Sequence, residues 1–267
     1  MGSAAQIAYY LLFAAFPLLL SLASLLAFLP TPNVMDWVLR VLGAVIPSAA
    51  VDLMRDSVQH MVTHQHSGLF SISVLVAVWA AANATESIMQ GLNRVQSLRE
   101  TRPPWRTRLI AILLAVEVSI LTSLGLLALW FGAHVSRWWE VRGGLGPLPV
   151  QVWDFLRWPV VLMSLIGAID QLYFIGPAVR PRWQWITPGA VVAVLGWIAA
   201  SLGFSAYVRH FGSYGATYGS IGAVIILLSW MYMTGFFILL GAEINVAMEA
   251  RNGKASPDPS ATTDGGR

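Results

Sequence analysis

The chain has 267 residues, of which 57% are hydrophobic and only 11% charged, with a net charge of +3, 12 tryptophans and no cysteine. A water-soluble protein of this length needs a more charged surface, so lipid is the solvent for most of this chain. The lack of cysteine excludes a disulfide framework and thiolate chemistry. The arginines lie in short connecting segments and form no recognised nucleic-acid-binding module, so no nucleic-acid partner is expected.

Six apolar stretches, about 5–29, 68–90, 107–132, 155–176, 187–208 and 217–246, are each long enough to cross a bilayer. Roughly 20 helical residues span the ~30 Å hydrocarbon core. The runs are continuous rather than alternating. They therefore predict helices, which satisfy their own backbone in lipid, and not a β-barrel. The expected fold is an all-α, six-span membrane domain over residues 1–251.

In the first span, Ile7 to Leu29 is too long for a cleaved signal and has no basic leader. Pro17 here, and Pro159 in span four, predict a kink or local unwinding. Between spans one and two, Ser48 to Thr63 carries Val51, Met54, Val58, Met61 and Val62 on one face. Asp52, Arg55, Asp56, Gln59 and His60 fall on the other. That pattern predicts an extracytoplasmic amphipathic helix. His60 and His64 stand at i, i+4, an acceptable spacing for two metal ligands. With His66 they nevertheless read as solvated, because no cysteine or nearby glutamate completes a set. No metal or cofactor is expected.

Span two carries Asn83, Glu86, Gln90 and Asn93 as a polar stripe. Such a stripe must face protein or water, as interhelical hydrogen bonds or as a cavity wall. In span three, Glu117 lies beside Ser119 and Thr122 and is a candidate proton or cation site. Asp170 is the acid of span four. In span six, Glu243 and Asn245 are ~200° apart around the helix. Asn245 can bond a neighbouring helix while Glu243 points at a cavity, or Glu243 is an interfacial residue capped by loop arginines such as Arg180 or Arg182. Asn83, Glu86, Glu117, Glu243 and Asn245 are therefore the candidate transport or cavity residues. Tyr207, Tyr214, Tyr218 and Gly219 flank the outer loop between spans five and six, as a candidate gate or a packed turn.

Arginine counting orients the bundle. Arg94, Arg99, Arg102, Arg106, Arg108, Arg180, Arg182, Arg251 and Lys254 fall on one side of a six-span layout, against Arg40, Arg55, Arg137, Arg142, Arg157 and Arg209 on the other, which predicts cytoplasmic termini. Trp105, Trp138, Trp139, Trp153, Trp158, Trp183 and Trp185 sit at span ends, as an aromatic belt does. Residues 252–267 are rich in Pro, Gly, Ser, Thr and Asp and predict a disordered cytoplasmic tail.

The C-terminal third carries Trp185-Ile-Thr-Pro188-Gly189-Ala190, Phe211-Gly-Ser-Tyr214-Gly and Leu240-Gly241-Ala242-Glu243-Ile244-Asn245. Ala8-Tyr9-Tyr10 with Phe16-Pro17-Leu18, and Arg102-Pro103-Pro104-Trp105, add to the pattern. Across nearly its whole length the chain resembles the YihY/virulence factor BrkB family. The resemblance implies a six-span bacterial inner-membrane protein with transport or envelope roles. It also implies a cytoplasmic leader before the first span, whereas this chain opens at Met1 almost within it. Some members have carried a ribonuclease label.

Three functions follow for testing. The first is a transporter or translocator of lipids or amphipaths in the cell envelope, for which two groups of three spans have the arithmetic of an inverted repeat. Its partners are membrane lipids and an amphipathic or small-ion substrate, and a bundle of this size is compatible with a homodimer. The alternative is a non-transporting scaffold in envelope assembly. Ribonuclease chemistry is set aside, because the histidines fall on the side away from the cytoplasm and the cytoplasmic loops hold few acids.

Overall fold

The computed structural model describes residues 2–26, 67–142, 147–179, 181, 184–210 and 213–251. Six helices make up nearly all of them: α1 (Gly2–Leu26), α2 (Ser67–Val95), α3 (Pro104–Arg142), α4 (Pro147–Ile175), α5 (Pro188–His210) and α6 (Ser213–Arg251). Each expected span contains one helix. The helices run past the apolar stretches because polar ends such as Gln90 to Val95 continue the hydrogen-bonded backbone. Among the described residues three helices hold a stretch long and apolar enough to cross a membrane: Trp158–Ile175, Pro188–Val208 and Ile221–Arg251. The helical backbone is uninterrupted at both Pro17 and Pro159, so neither proline unwinds its helix. The amphipathic segment 48–63, the three histidines, Arg180, Arg182 and the tail lie outside the described residues.

The helices pack in a ring in chain order, α1 closing against α6, and α2 also touches α6. Neighbours run antiparallel. In α1 and α6, Ala8 and Ala15 meet Leu227, Trp230 and Met231. Between α2 and α3, Ala82 and Met89 meet Ala111 and Leu114, with Leu172 of α4 behind them. Ile7, Ile88, Leu92, Ile166, Val194 and Ile238 join α1, α2, α4, α5 and α6 in one central cluster. The opposite faces stay apolar: Leu75, Leu113, Phe155 and Ile221 are more than half exposed. A soluble bundle would present charges there, and a bilayer accepts these side chains.

Antiparallel order brings the starts of α1, α3 and α5 and the ends of α2, α4 and α6 to one end. Arg94, Arg99, Arg102, Arg106, Arg108 and Arg251 lie toward this end, and Arg137, Arg142, Arg157 and Arg209 toward the other. Helix α2 stops at that end through Ser97, whose φ of 54° turns the chain back so that Leu98 N–H bonds Asn93 O at 2.8 Å. The following loop is pinned rather than free. Arg102 forms an ion pair with Glu100 at 2.7 Å and donates to Gly176 O at the end of α4 at 2.9 Å. Asn93 donates to Glu100 at 2.9 Å and accepts Ala178 N–H at 2.7 Å.

Candidate functional site

Helices α5 and α6 approach closely because glycine faces glycine. A Cβ on Gly189 would strike Gly241 O and the Asn245 amide, and one on Gly241 would strike Gly189 O and the Tyr173 hydroxyl. Small residues at such a crossing are the usual means of bringing helices together in lipid. Thr187 stands just before α5 and caps it, its hydroxyl accepting Ala190 N–H at 3.2 Å. The same hydroxyl donates to Asp170 Oδ1 at 2.5 Å, and Thr187 N–H bonds the same carboxylate oxygen at 3.1 Å. Asn245 completes the junction: it accepts Gly189 N–H at 2.8 Å and donates to Thr187 at 3.1 Å. Asp170, Thr187 and Asn245 line a small cleft of about 100 Å³ between α4, α5 and α6, with Tyr173, Gln184 and Glu249.

A second cleft, of about 260 Å³, opens between α1, α2 and α6. Ser3 of α1 and Arg94 of α2 line one side. The α6 side is aromatic and aliphatic, with Tyr232, Phe236, Leu239 and Leu240, and ends in Glu243. Arg94 Nη1 donates to the Ser3 hydroxyl at 3.0 Å. Gly91 forms part of the floor, where a Cβ would come within 2.8 Å of Leu239 Cδ2.

The expected site residues are thus distributed rather than gathered. Glu243 is exposed in the larger cleft and Asn245 lies in the smaller one, as their angular separation on one helix requires. The polar stripe of α2 divides between neighbours. Arg108 of α3 donates to Asn83 at 2.6 Å and to Glu86 at 3.3 Å. Its guanidinium stands 4.0 Å from the centre of the Trp79 ring. Gln90 instead accepts from Gln6 of α1 at 3.0 Å. Asn83 and Glu86 therefore bond between helices and line neither cleft. Glu117 is half-buried on α3, away from both clefts, and makes no ion pair with the described residues. Tyr207 is 53% exposed near the end of α5. Tyr214, Tyr218 and Gly219 fall within the first turns of α6, which begins at Ser213, so the described backbone at these positions is helix rather than turn.

Sequence reasoning did not single out Thr187 or Tyr173, and it counted Arg108 only as a loop charge. Thr187-Pro188 did carry a signal, since threonine before proline is a helix-start pair. Nothing in the sequence told which acid it would meet. Outside the spans, the Arg102 guanidinium holds the Glu100 carboxyl below its usual range, with further bonds from Arg102 N–H and Asn93.

Among the described residues no group of three His, Asp or Glu side chains is placed to hold a metal ion. A sequence model of the family described as Virulence factor BrkB matches residues 1–264. A Bacillus subtilis (strain 168) protein named as ribonuclease-like, YfkH, is 34% identical over 257 residues, covering 96% of this chain and 92% of its own length. No solved structure matches the chain.

Proposed function

The chain belongs to the Virulence factor BrkB family, and on that premise we propose that it is a multi-pass inner-membrane translocator of a lipid or other amphipath. In this reading all six helices cross the bilayer, and the arginine-rich end with both termini is cytoplasmic. The observation that carries the reading is the α1–α2–α6 cleft, whose lining combines Arg94 and Glu243 with aromatic and aliphatic side chains. An amphipath needs both at once. The charged side chains take a headgroup, and Tyr232, Phe236 and Leu240 take the first part of a chain.

A specific observation favours the alternative, a non-transporting scaffold. Glu86 is bonded to Arg108 and Asp170 to Thr187, and the three apolar clusters fill the spaces between the helices. A bundle locked in this way serves as a platform as readily as a moving part.

Reconstitution into liposomes separates the two. A fluorescent lipid in the inner leaflet becomes accessible to a membrane-impermeant quencher only when it crosses. The translocator reading expects faster crossing than in empty liposomes, and slowing in Glu243→Gln. Crossing no faster than in protein-free liposomes ends it, and the scaffold reading then stands with Glu243→Gln behaving as wild type.

A further inference from the structure

We infer that the α1–α2–α6 cleft is a headgroup site for a zwitterionic aminophospholipid, with its phosphate on Arg94 and its primary ammonium on Glu243. The inference rests on the reading of this cleft as a lipid site and specifies the lipid's chemistry.

The charge pattern comes first. The cleft wall carries one cation and one anion. They do not neutralise each other, since the ion pairs among the described residues are Arg102–Glu100 and Arg108–Glu86. Arg94 donates to Ser3 and keeps most of its five N–H groups for another acceptor. Glu243 is exposed and makes no hydrogen bond with the described residues. An anionic headgroup would satisfy Arg94 but place negative charge beside the Glu243 carboxylate. A purely cationic ligand would meet the converse problem at Arg94. A headgroup with a phosphate and an ammonium satisfies both. A primary ammonium brings three donors to the carboxylate, whereas a quaternary one has none.

Depth comes second. Below Glu243 the outer face of α6 is an exposed apolar stripe of Phe236, Leu228, Ile225 and Ile221 at helical spacing. Glu243 stands toward the arginine-rich end of α6 and the stripe runs from it toward the other end. In the six-span reading this puts the carboxylate on the headgroup side and the stripe in the acyl region. The cleft volume of about 260 Å³ falls below the ~300–1,000 Å³ of sites that enclose a whole drug-sized ligand. It suits a headgroup whose chain remains on the stripe and in the bilayer.

The test uses the full chain, stripped of lipid in detergent and placed in nanodiscs of mixed composition. Native mass spectrometry then reads which lipid stays bound. Phosphatidylethanolamine is expected to be retained about tenfold over phosphatidylglycerol and phosphatidylcholine, the effect of one charge-assisted hydrogen bond. Glu243→Gln removes that preference, and Arg94→Gln lowers retention of both phosphatidylethanolamine and phosphatidylglycerol. Equal retention of the three lipids by the wild-type chain overturns the inference, and that comparison needs no variant to fold. An unchanged preference in Glu243→Gln also overturns it. A chain that prefers phosphatidylethanolamine yet moves no lipid keeps the site and ends the translocator reading. One that moves lipid without preference does the reverse.

Discussion

Asn245 joins three elements through one side chain. Its carbonyl oxygen accepts Gly189 N–H at 2.8 Å, and its amide donates to the Thr187 hydroxyl at 3.1 Å, which itself donates to Asp170. A helix start has unpaired N–H groups, and the buried Gly189 N–H draws its acceptor from α6. Asn245→Ala is expected to destabilise the protein by about 1–3 kcal/mol, the cost of leaving a buried donor unmet. Thermal unfolding in detergent reads this as a lowered midpoint. A midpoint equal to wild type would mean that the bond contributes nothing to folding.

Glycine substitutions are expected to differ in sign. Gly189→Ala and Gly241→Ala force apart backbones already in contact and should each cost more than the roughly 1–3 kcal/mol typical of overpacking. At Gly167 and Gly203 a Cβ meets nothing within 4 Å. Alanine there should be neutral or stabilise by up to about 1 kcal/mol, since glycine is a poor helix former. The same unfolding assay ranks all four variants. A Gly189→Ala protein as stable as Gly203→Ala would contradict the crossing described for α5 and α6.

Arg108 should matter more than the acid it pairs with. It donates to Asn83, to Glu86 and to Trp79 O at 3.2 Å, and its plane covers the Trp79 ring. Glu86 keeps about a third of its side chain exposed. Arg108→Ala is therefore expected to cost on the order of 1.5–3 kcal/mol. Glu86→Gln retains an acceptor and should stay below about 1 kcal/mol. The reverse order would show that the carboxylate, and not the guanidinium, holds α2 to α3.

Glu100 gives a pH signature. Its carboxyl is held below the ordinary value of 4.5, first by the Arg102 side-chain bond. A depressed carboxyl contributes stability above its unfolded pKa, and that contribution disappears as pH falls through the folded pKa. The unfolding midpoint should therefore drop in acid below about pH 4.5. In Glu100→Gln that part of the acid dependence should be missing. An acid profile identical to wild type would exclude Glu100 as a source.

The lack of cysteine makes topology directly measurable. Gly2→Cys and Arg251→Cys stand at the arginine-rich end, whereas His210→Cys stands at the other. In intact cells an impermeant thiol reagent should label His210→Cys and spare the other two. Labelling of all three, or of Gly2→Cys alone, would refute cytoplasmic termini.

Each apolar stretch in the sequence contains a helix, because some twenty residues with so few charges favour lipid over water and a helix pairs their backbone there. The angle between Glu243 and Asn245 was equally legible, being a property of one helix. Asn245 lines the cleft between α4, α5 and α6, and Glu243 the one between α1, α2 and α6. The partners were not legible. Asn83 and Glu86 read alike as a cavity wall or as an interhelical contact until Arg108, from another helix, was seen against both. Tyr214 and Tyr218 read as flanking the outer loop, a candidate gate or turn, with only Tyr218 inside the expected span; α6 begins at Ser213 and includes both. Glycine lowers helix propensity, but within a bilayer the backbone has no water to turn to. Local chemistry thus determined the helices, the membrane as solvent and the side of each helix that is polar. The tertiary structure decided that Asp170 meets Thr187 and that Arg94 shares a cleft with Glu243. Those pairings depend on which helices become neighbours, and no property of a single helix encodes that.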